Sequence, residues 1–533
     1  MDLTANPYNS SRSVTIAGRG VVATSQPLAV QAGLSMLERG GNAVDAAVAT
    51  AITLTVVEPT SNGIGSDAFA LVWDGRELHG LNGSGRAPRA LTLEMVADRG
   101  HRSMPTRGWL PVTIPGAPAT WRDLHKRFGN LPFATLFEPA IRYAEQGHTV
   151  SPIVGYYWGR SVPIYSQNKG PEFAGWMETF APGGRAPRAG EKWVSPTHAL
   201  TLRRIAESGG DDFYTGQTAR AIAAFAARTG GLITEADLAA HTSTWVQPIS
   251  TSYRGYDVWE IPPNGQGIAA LIALNILEGF PLGKTKRDTA ESFHLQIEAM
   301  KLAFADTFRY VADPDFVDVP TGRLLDKAYS ERRRALMGDR ALSPKPGDPN
   351  SGGTVYLCAA DSSGMMVSFI QSNYQGFGSG IVVPGTGVSL QDRGANFSLD
   401  PNHPNRLEPG KRPYHTIIPG FLTRGGQAVG PFGVMGGFMQ PQGHVQMVAN
   451  TIDYALNPQA SLDAPRWQWT SGRTVEIESD ADPVIISGLR ERGHTVSVSA
   501  PGGGFGRGQI IWRLPEGYVA GSDKRADGYA GAL

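Results

Sequence analysis

Residues 343–353 read Ser-Pro-Lys-Pro-Gly-Asp-Pro-Asn-Ser-Gly-Gly, and residues 354–360 read Thr-Val-Tyr-Leu-Cys-Ala-Ala. A linker rich in Pro, Gly and Ser therefore stops at Thr354 and a core strand begins there. A hydroxyl residue at such a junction is where a self-cleaving precursor would expose a new N-terminus. A free N-terminal Thr carries its own base, because an α-amine titrates near ~7.7–8.0 and can take the proton from its own Oγ. The alternative is an ordinary strand residue, since Thr favours strands in any case.

Downstream, Asp361-Ser362-Ser363-Gly364 reads as a turn, and Met365 to Gln371 as the returning strand. With Ser362-Ser363 as a two-residue loop, Thr354 faces Gln371 and Gly353 faces Ser372. The hairpin thus brings a second hydroxyl, Ser372, beside the Gly353–Thr354 bond.

Working outward, the chain has 533 residues, 41% of them hydrophobic and 18% charged, which predicts a soluble globular protein with a large core. Lys+Arg and Asp+Glu are both 48, so no net charge points to nucleic acid or a membrane surface. No run approaches the ~18 apolar residues of a membrane span. The start, Met1 to Pro7, has neither the basic nor the apolar region of a secretory signal. Cys358 is the sole cysteine, which excludes an internal disulfide framework and makes it a small core residue. The 11 His are scattered, with no His-Glu-x-x-His, so no metal site is expected. These features read as a cytoplasmic protein.

One helix is predicted from near Ser25, with Pro27 in its first turn, to Gly40-Gly41. A second starts at an Asn42 cap and ends at Pro59; its faces are mostly Ala and Thr, so it should be buried closely. Residues 68–73 and 78–81 read as a buried strand and its partner around Asp74-Gly75. Phe293, Ile297, Met300, Phe304, Phe308 and Val311 form the core stripe of a helix from Ala290 to Ala312. Arg332-Arg333-Arg334 reads as a solvated helix face, and Pro501 to Gly506 as a turn rather than a nucleotide loop. Beyond the linker the chain reads mostly as strands and turns, and no internal repeat is present.

Taken in order, several short segments resemble the γ-glutamyltranspeptidase (glutathione hydrolase) family of N-terminal nucleophile hydrolases. They are Gly40-Gly41-Asn42-Ala43-Val44-Asp45-Ala46-Ala47, Glu58-Pro59, Gly85-Arg86-Ala87-Pro88, Pro115-Gly116-Ala117 and the helix around Glu298 to Asp306. After the linker come Thr354, Gly376 to Gly380, Lys411-Arg412-Pro413, Gly436-Gly437 and Gly521 to Arg525. The chain looks most like the signal-less bacterial branch of glutathione hydrolase-like proenzymes. The resemblance implies an α/β four-layer αββα sandwich, made as one chain and split autocatalytically. The large subunit would be 1–353 and the small subunit 354–533, together one compact domain.

By position, the resemblance makes Thr354 the nucleophile, Ser372 the hydroxyl bonded to it, and Gly436 and Gly437 the oxyanion hole. Glycine suits that last role because backbone amides must approach the oxyanion closely. Arg86 falls on the arginine that grips the substrate carboxylate, with a surface ion pair as the alternative. The departures concern the substrate. Asn396 stands where the family has an acid for the γ-glutamyl ammonium, with Arg393 nearby. His415-Thr416 replaces a hydroxyl pair, and Tyr374 replaces an Asn; packing roles remain open for all three positions.

The resemblance thus implies acyl transfer without any cofactor, first on a γ-glutamyl amide such as glutathione. The alternative is an acyl amide that bears a carboxylate but no α-amine, glutaryl- or oxamate-like. A third reading is an unprocessed relative that only binds. The partners implied are a small-molecule substrate and the two subunits of one precursor, with neither nucleic acid nor membrane; a homo-oligomer is compatible with this.

Overall fold

The computed structural model describes residues 1–10, 12–344 and 353–533. Most of the linker, 345–352, lies outside the described residues; Gly353 is already in a strand.

Asn42 caps its helix as the sequence predicts: its side chain accepts from Val44 and Asp45, while Asp45 accepts from the Asn42 amide. Every residue of this helix, Ala43–Val57, is buried. Its threonines do not oppose that burial, because Thr50, Thr53 and Thr55 donate to carbonyls of the preceding turn at 2.6–2.8 Å. The helix before it, Pro27–Glu38, packs so closely that a Cβ on Gly33 would lie only 2.4 Å from the Thr50 hydroxyl.

Two seven-stranded antiparallel sheets form the centre. In chain order the strands are β1 (Thr15–Ala17), β2 (Val21–Thr24), β3 (Asp67–Trp73), β4 (Leu78–Asn82), β5 (Thr244–Val246), β6 (Ile249–Tyr253) and β7 (Tyr256–Glu260). They continue as β8 (Gly353–Ala360), β9 (Met366–Tyr374), β10 (Gly420–Arg424), β11 (Gln427–Val434), β12 (Gly508–Leu514), β13 (Gly517–Ser522) and β14 (Tyr529–Ala532). One sheet runs β14-β2-β8-β9-β3-β4-β5 and the other β1-β13-β12-β11-β10-β7-β6. Each sheet draws strands from both sides of the Gly353–Thr354 bond.

Alternation along the strands makes the layers. Phe69, Leu71, Tyr356, Cys358 and Ile370 meet Phe421, Ile511 and Tyr518 between the sheets. The opposite faces carry Ala68, Ala70, Val355, Leu357 and Phe369 on one sheet, which pack on α1 (Pro27–Glu38), α2 (Ala43–Val57) and α3 (Ala117–Phe128). On the other sheet Leu422, Phe432 and Ile510 pack on α4 (Gly267–Leu277), α5 (Ala290–Tyr310) and α6 (Met439–Ile452). The result is the expected αββα sandwich. Among the described residues, no helix is long and apolar enough to cross a membrane.

Three expectations change. The β8–β9 loop is Asp361–Met365, where the Asp361 carboxylate accepts from the Ser363 amide and hydroxyl. This longer loop shifts the register by one residue, so Val355 faces Gln371. Beyond the linker the chain also holds α6, whose Pro441 and Gly443 look like breakers in sequence but sit in its first turns. Finally, Arg333 and Arg334 are not a solvated face. Arg334 donates to the Ile276 and Asn275 carbonyls near the end of α4, and Arg333 lies 3.0 Å from Asp306.

Candidate active site

The start of β8, the end of β9 and the start of β3 share one edge of their sheet. Ser372 pairs directly with Asp67 across β9 and β3. A bulge between Gly353 and Val355 sets Thr354 beside Ser372 on the other flank. Asp67, Ser372 and Thr354 therefore form a row on the inter-sheet face. Thr354 is 1% exposed, and its Oγ lies 3.0 Å from the Ser372 Oγ. The Ser372 Oγ also accepts the Tyr374 amide at 2.8 Å. That bond closes a turn in which Tyr374 takes φ +76°, a costly conformation for a bulky residue.

The facing wall comes from the other sheet. Gly436 and Gly437 follow β11 with φ of +127° and +61° and lead into α6. A Cβ on Gly436 would meet Gly506 Cα at 3.2 Å, so glycine is required twice over. Among the described residues, no acceptor takes the Gly436 or Gly437 N–H. Gln440, in the first turn of α6, fixes this wall against the hydroxyls. Its Oε1 accepts from the Ile418 amide at 2.9 Å, and its Nε2 reaches the Thr354 Oγ at a long 3.5 Å. Gln266 ties the Gly437 carbonyl (2.9 Å) to that of Thr416 (2.6 Å). Two free amides and a helix N-terminus, opposite a hydroxyl pair, suit a developing oxyanion. Nothing in the sequence pattern singles out Gln440 or Gln266.

The charged residues cluster around Arg393, which is fully buried. Its guanidinium stacks 4.6 Å from the Tyr374 ring and donates to the Thr416 Oγ at 2.6 Å. Burial pushes its pKa down to about 10, against the pull of Asp67, Tyr374 and Asp392. Arg393–Asn396 is one 3₁₀ turn, so these two side chains lie on the same face. Arg393 Nε and NH2 and Asn396 Nδ2 are all buried donors without an acceptor in the described structure. Three unpaired donors on one face are a strong anomaly.

His415 packs on Phe69 and lies 3.1 Å from the Asp67 carboxylate, both side chains fully buried. The His415 Nδ1 accepts from the Ile417 amide, so Nε2 carries the hydrogen toward Asp67. Burial raises the Asp67 pKa to about 7 and drives that of His415 well below its usual value. Asp67 also accepts the Gly85 and Gly116 amides. Asp67 is the residue the sequence reading misses outright.

Arg86 is placed differently from its expected role. Asp313 (3.2 Å), Asp315 (2.7 Å) and the Gly410 carbonyl hold its guanidinium, and none of the residues around Thr354 contacts it. The ion-pair alternative describes it. His294, Glu298 and His494 also converge, within 4.8 Å, a grouping that scattered histidines do not suggest. Lys301 occupies it, however, with its Nζ 2.7 Å from Glu298, so the cluster is a satisfied polar network. Cys358 is buried in the inter-sheet core, and Gly503–Phe505 forms a 3₁₀ turn beside the Gly436 loop.

Residues 29–533 match the profile of the gamma-glutamyltranspeptidase family. The chain belongs to that family. The glutathione hydrolase-like YwrD proenzyme of Bacillus subtilis is 36% identical, with 97% of this chain and 98% of that protein covered. The oxamate amidohydrolase proenzyme of Klebsiella pneumoniae is 35% identical, with 97% and 99% covered. Among solved structures, the cephalosporin acylase of Bacillus halodurans is 56% identical with a TM-score of 0.95, covering 100% of this chain and 99% of that one. Within the gamma-glutamyltranspeptidase family these names indicate three different substrates, so the choice of acyl group falls to the site itself.

Proposed function

We propose that this chain is a precursor of an N-terminal threonine amidohydrolase that acts on acyl groups bearing a carboxylate. It cuts itself between Gly353 and Thr354, giving subunits 1–353 and 354–533. The freed Thr354 α-amine takes the proton from its own Oγ, which attacks the amide carbonyl. The Gly436 and Gly437 amides hold the oxyanion, the amine departs, and an acyl-enzyme remains. Water completes hydrolysis; an incoming amine would complete transfer by the same step.

The observation that carries the substrate class is the face of unpaired donors. Arg393 Nε, Arg393 NH2 and Asn396 Nδ2 are three donor nitrogens without an acceptor in the described structure. A carboxylate supplies acceptors for all three and a counter-charge for the buried guanidinium. An α-ammonium there would meet the like charge of Arg393. Membership of the gamma-glutamyltranspeptidase family favours a second reading, a γ-glutamyl amide whose α-carboxylate takes this face while its ammonium goes unpaired.

Intact mass and N-terminal sequencing test the precursor, followed by turnover of matched glutaryl, γ-glutamyl and pentanoyl anilides. Two fragments, one beginning Thr354-Val355-Tyr356, with glutaryl favoured, support the first reading. A γ-glutamyl preference supports the second. An uncut chain without turnover, like Thr354→Ala, would leave only ligand binding.

A further inference from the structure

The helix that begins at the oxyanion wall, α6, carries a buried polar group that the mechanism does not use. His444 Nδ1 lies 2.6 Å from Glu260 Oε1, and both side chains are fully buried. Among the described residues, Glu260 Oε2 and His444 Nε2 have no hydrogen-bond partner, so each group depends on the other. Burial raises the Glu260 pKa, and His444 opposes that shift. Space is cleared for both side chains. A Cβ on Gly267 would lie 2.8 Å from Glu260 Oε2, and one on Gly420 would lie 3.0 Å from His444 Cε1. Two apolar side chains would pack here with less desolvation, but they would not fix a direction.

The two partners sit on the segments that brace the wall. His444 is one turn beyond Gln440 on α6, so both side chains leave the same face of the helix. Glu260 ends β7, and the chain then reaches Gln266, whose Nε2 donates to the Gly437 carbonyl at 2.9 Å. Gly437 leads straight into α6. The Glu260–His444 bond therefore closes a ring that runs from β7 through Gln266, Gly437 and α6 back to β7. Two further bonds anchor the ring: the Gln266 amide donates to the His415 carbonyl, and Gln440 Oε1 accepts the Ile418 amide, each at 2.9 Å.

We infer that Glu260 and His444 are positioning residues for acyl transfer, whose bond fixes the roll of α6 and so the aim of the Gly436 and Gly437 amides. This rests on the N-terminal threonine reading above. Without the bond α6 is free to turn about its axis, which takes the amides off the oxyanion and Gln440 away from Thr354. Those amides meet charge only as it develops, so the loss falls on kcat and spares KM.

The test compares His444→Leu, Glu260→Leu, the double variant, and His444→Asn, whose amide nitrogen takes the place of Nδ1. Each full chain is followed by anilide kinetics per cleaved molecule, by thermal melting, and by hydrogen exchange of residues 435–441. A single leucine leaves one buried polar group alone and should lower the melting temperature, whereas the double variant should recover that loss. All three leucine variants should still lose roughly 10²-fold in kcat, keep their KM, and exchange faster over 435–441. His444→Asn should restore most of the kcat. A double variant with wild-type kcat, an equal change in kcat and KM, or unchanged exchange over 435–441 overturns the inference. Should a single variant not fold, the double variant decides. If wild type neither cleaves nor turns over, the threonine reading itself has failed; faster exchange over 435–441 in the variants then still upholds the ring, and unchanged exchange overturns it.

Discussion

Replacing Arg393 with Met removes the guanidinium that offers Nε and NH2 to the site while keeping an apolar stem against Tyr374. Two charge-assisted hydrogen bonds to a carboxylate are worth about 1.5–3 kcal/mol each. A second route gives a similar figure: removing one partner of a buried ion pair costs about 3–5 kcal/mol. Since 1.36 kcal/mol is tenfold in rate, kcat/KM for a glutaryl anilide should fall by roughly 10²- to 10⁴-fold. The matched pentanoyl anilide, which lacks the carboxylate, has no such contact to lose. Its turnover should hold or rise as the pocket becomes apolar. Folding should change little, because losing the stacking on Tyr374 is offset by no longer burying a charge; a thermal melt checks that. An equal fall on both anilides would show Arg393 to be structural. An unchanged glutaryl rate would place the carboxylate elsewhere.

Three further outcomes follow from single residues. Gly436→Ala cannot keep φ +127° with a Cβ 3.1 Å from that of Met439, so its peptide must turn; kcat should drop roughly 10²-fold with KM retained, and a normal kcat would remove Gly436 from the oxyanion site. Asn396→Asp turns a donor into an acceptor beside Arg393 and should raise the γ-glutamyl to glutaryl ratio of kcat/KM about tenfold or more, as expected for 1.5–3 kcal/mol of charge-assisted bonding; an unmoved ratio would mean that position 396 does not face the substrate. In Gly116→Ala the new Cβ would lie 1.6 Å from the Gly83 carbonyl oxygen, so the segment holding Asp67 must shift, with a loss of about 3 kcal/mol measured by denaturant titration. A wild-type midpoint would refute that.

What the sequence reveals of this site follows the range of the interactions. Thr354, Ser372 and Gly436-Gly437 are legible because a linker, a turn and a glycine pair are local signals. The hairpin register slips by one residue because Asp361 builds a longer loop with its own side chain, a choice that Asp-Ser-Ser-Gly leaves open. α2 is legible because a helix of Ala, Val and Thr has no polar face to show to water. Asp67 is invisible, being a lone acid at the start of an apolar strand whose partners Ser372 and His415 lie about three hundred residues away. Arg86 misleads for the same reason: Asp313 and Asp315, which claim it, are 227 and 229 residues away in sequence. Gln440 and Gln266 have no signature at all, since glutamine in a helix start is ordinary until the wall it braces is known.

Positions 393 and 396 together make one electrostatic decision. In a 3₁₀ turn these side chains eclipse each other, so an acid at 396 would pair with Arg393 and take the donors that now stand open. The turn can present a carboxylate for an ammonium or a guanidinium for a carboxylate, and an acid at 396 would strengthen the first at the expense of the second. Asn396 keeps the second option by adding a hydrogen instead of a charge. The same guanidinium lies within the field of Asp67, which is stabilised as an anion by it. Removing the cation to change the substrate would therefore also raise the Asp67 pKa.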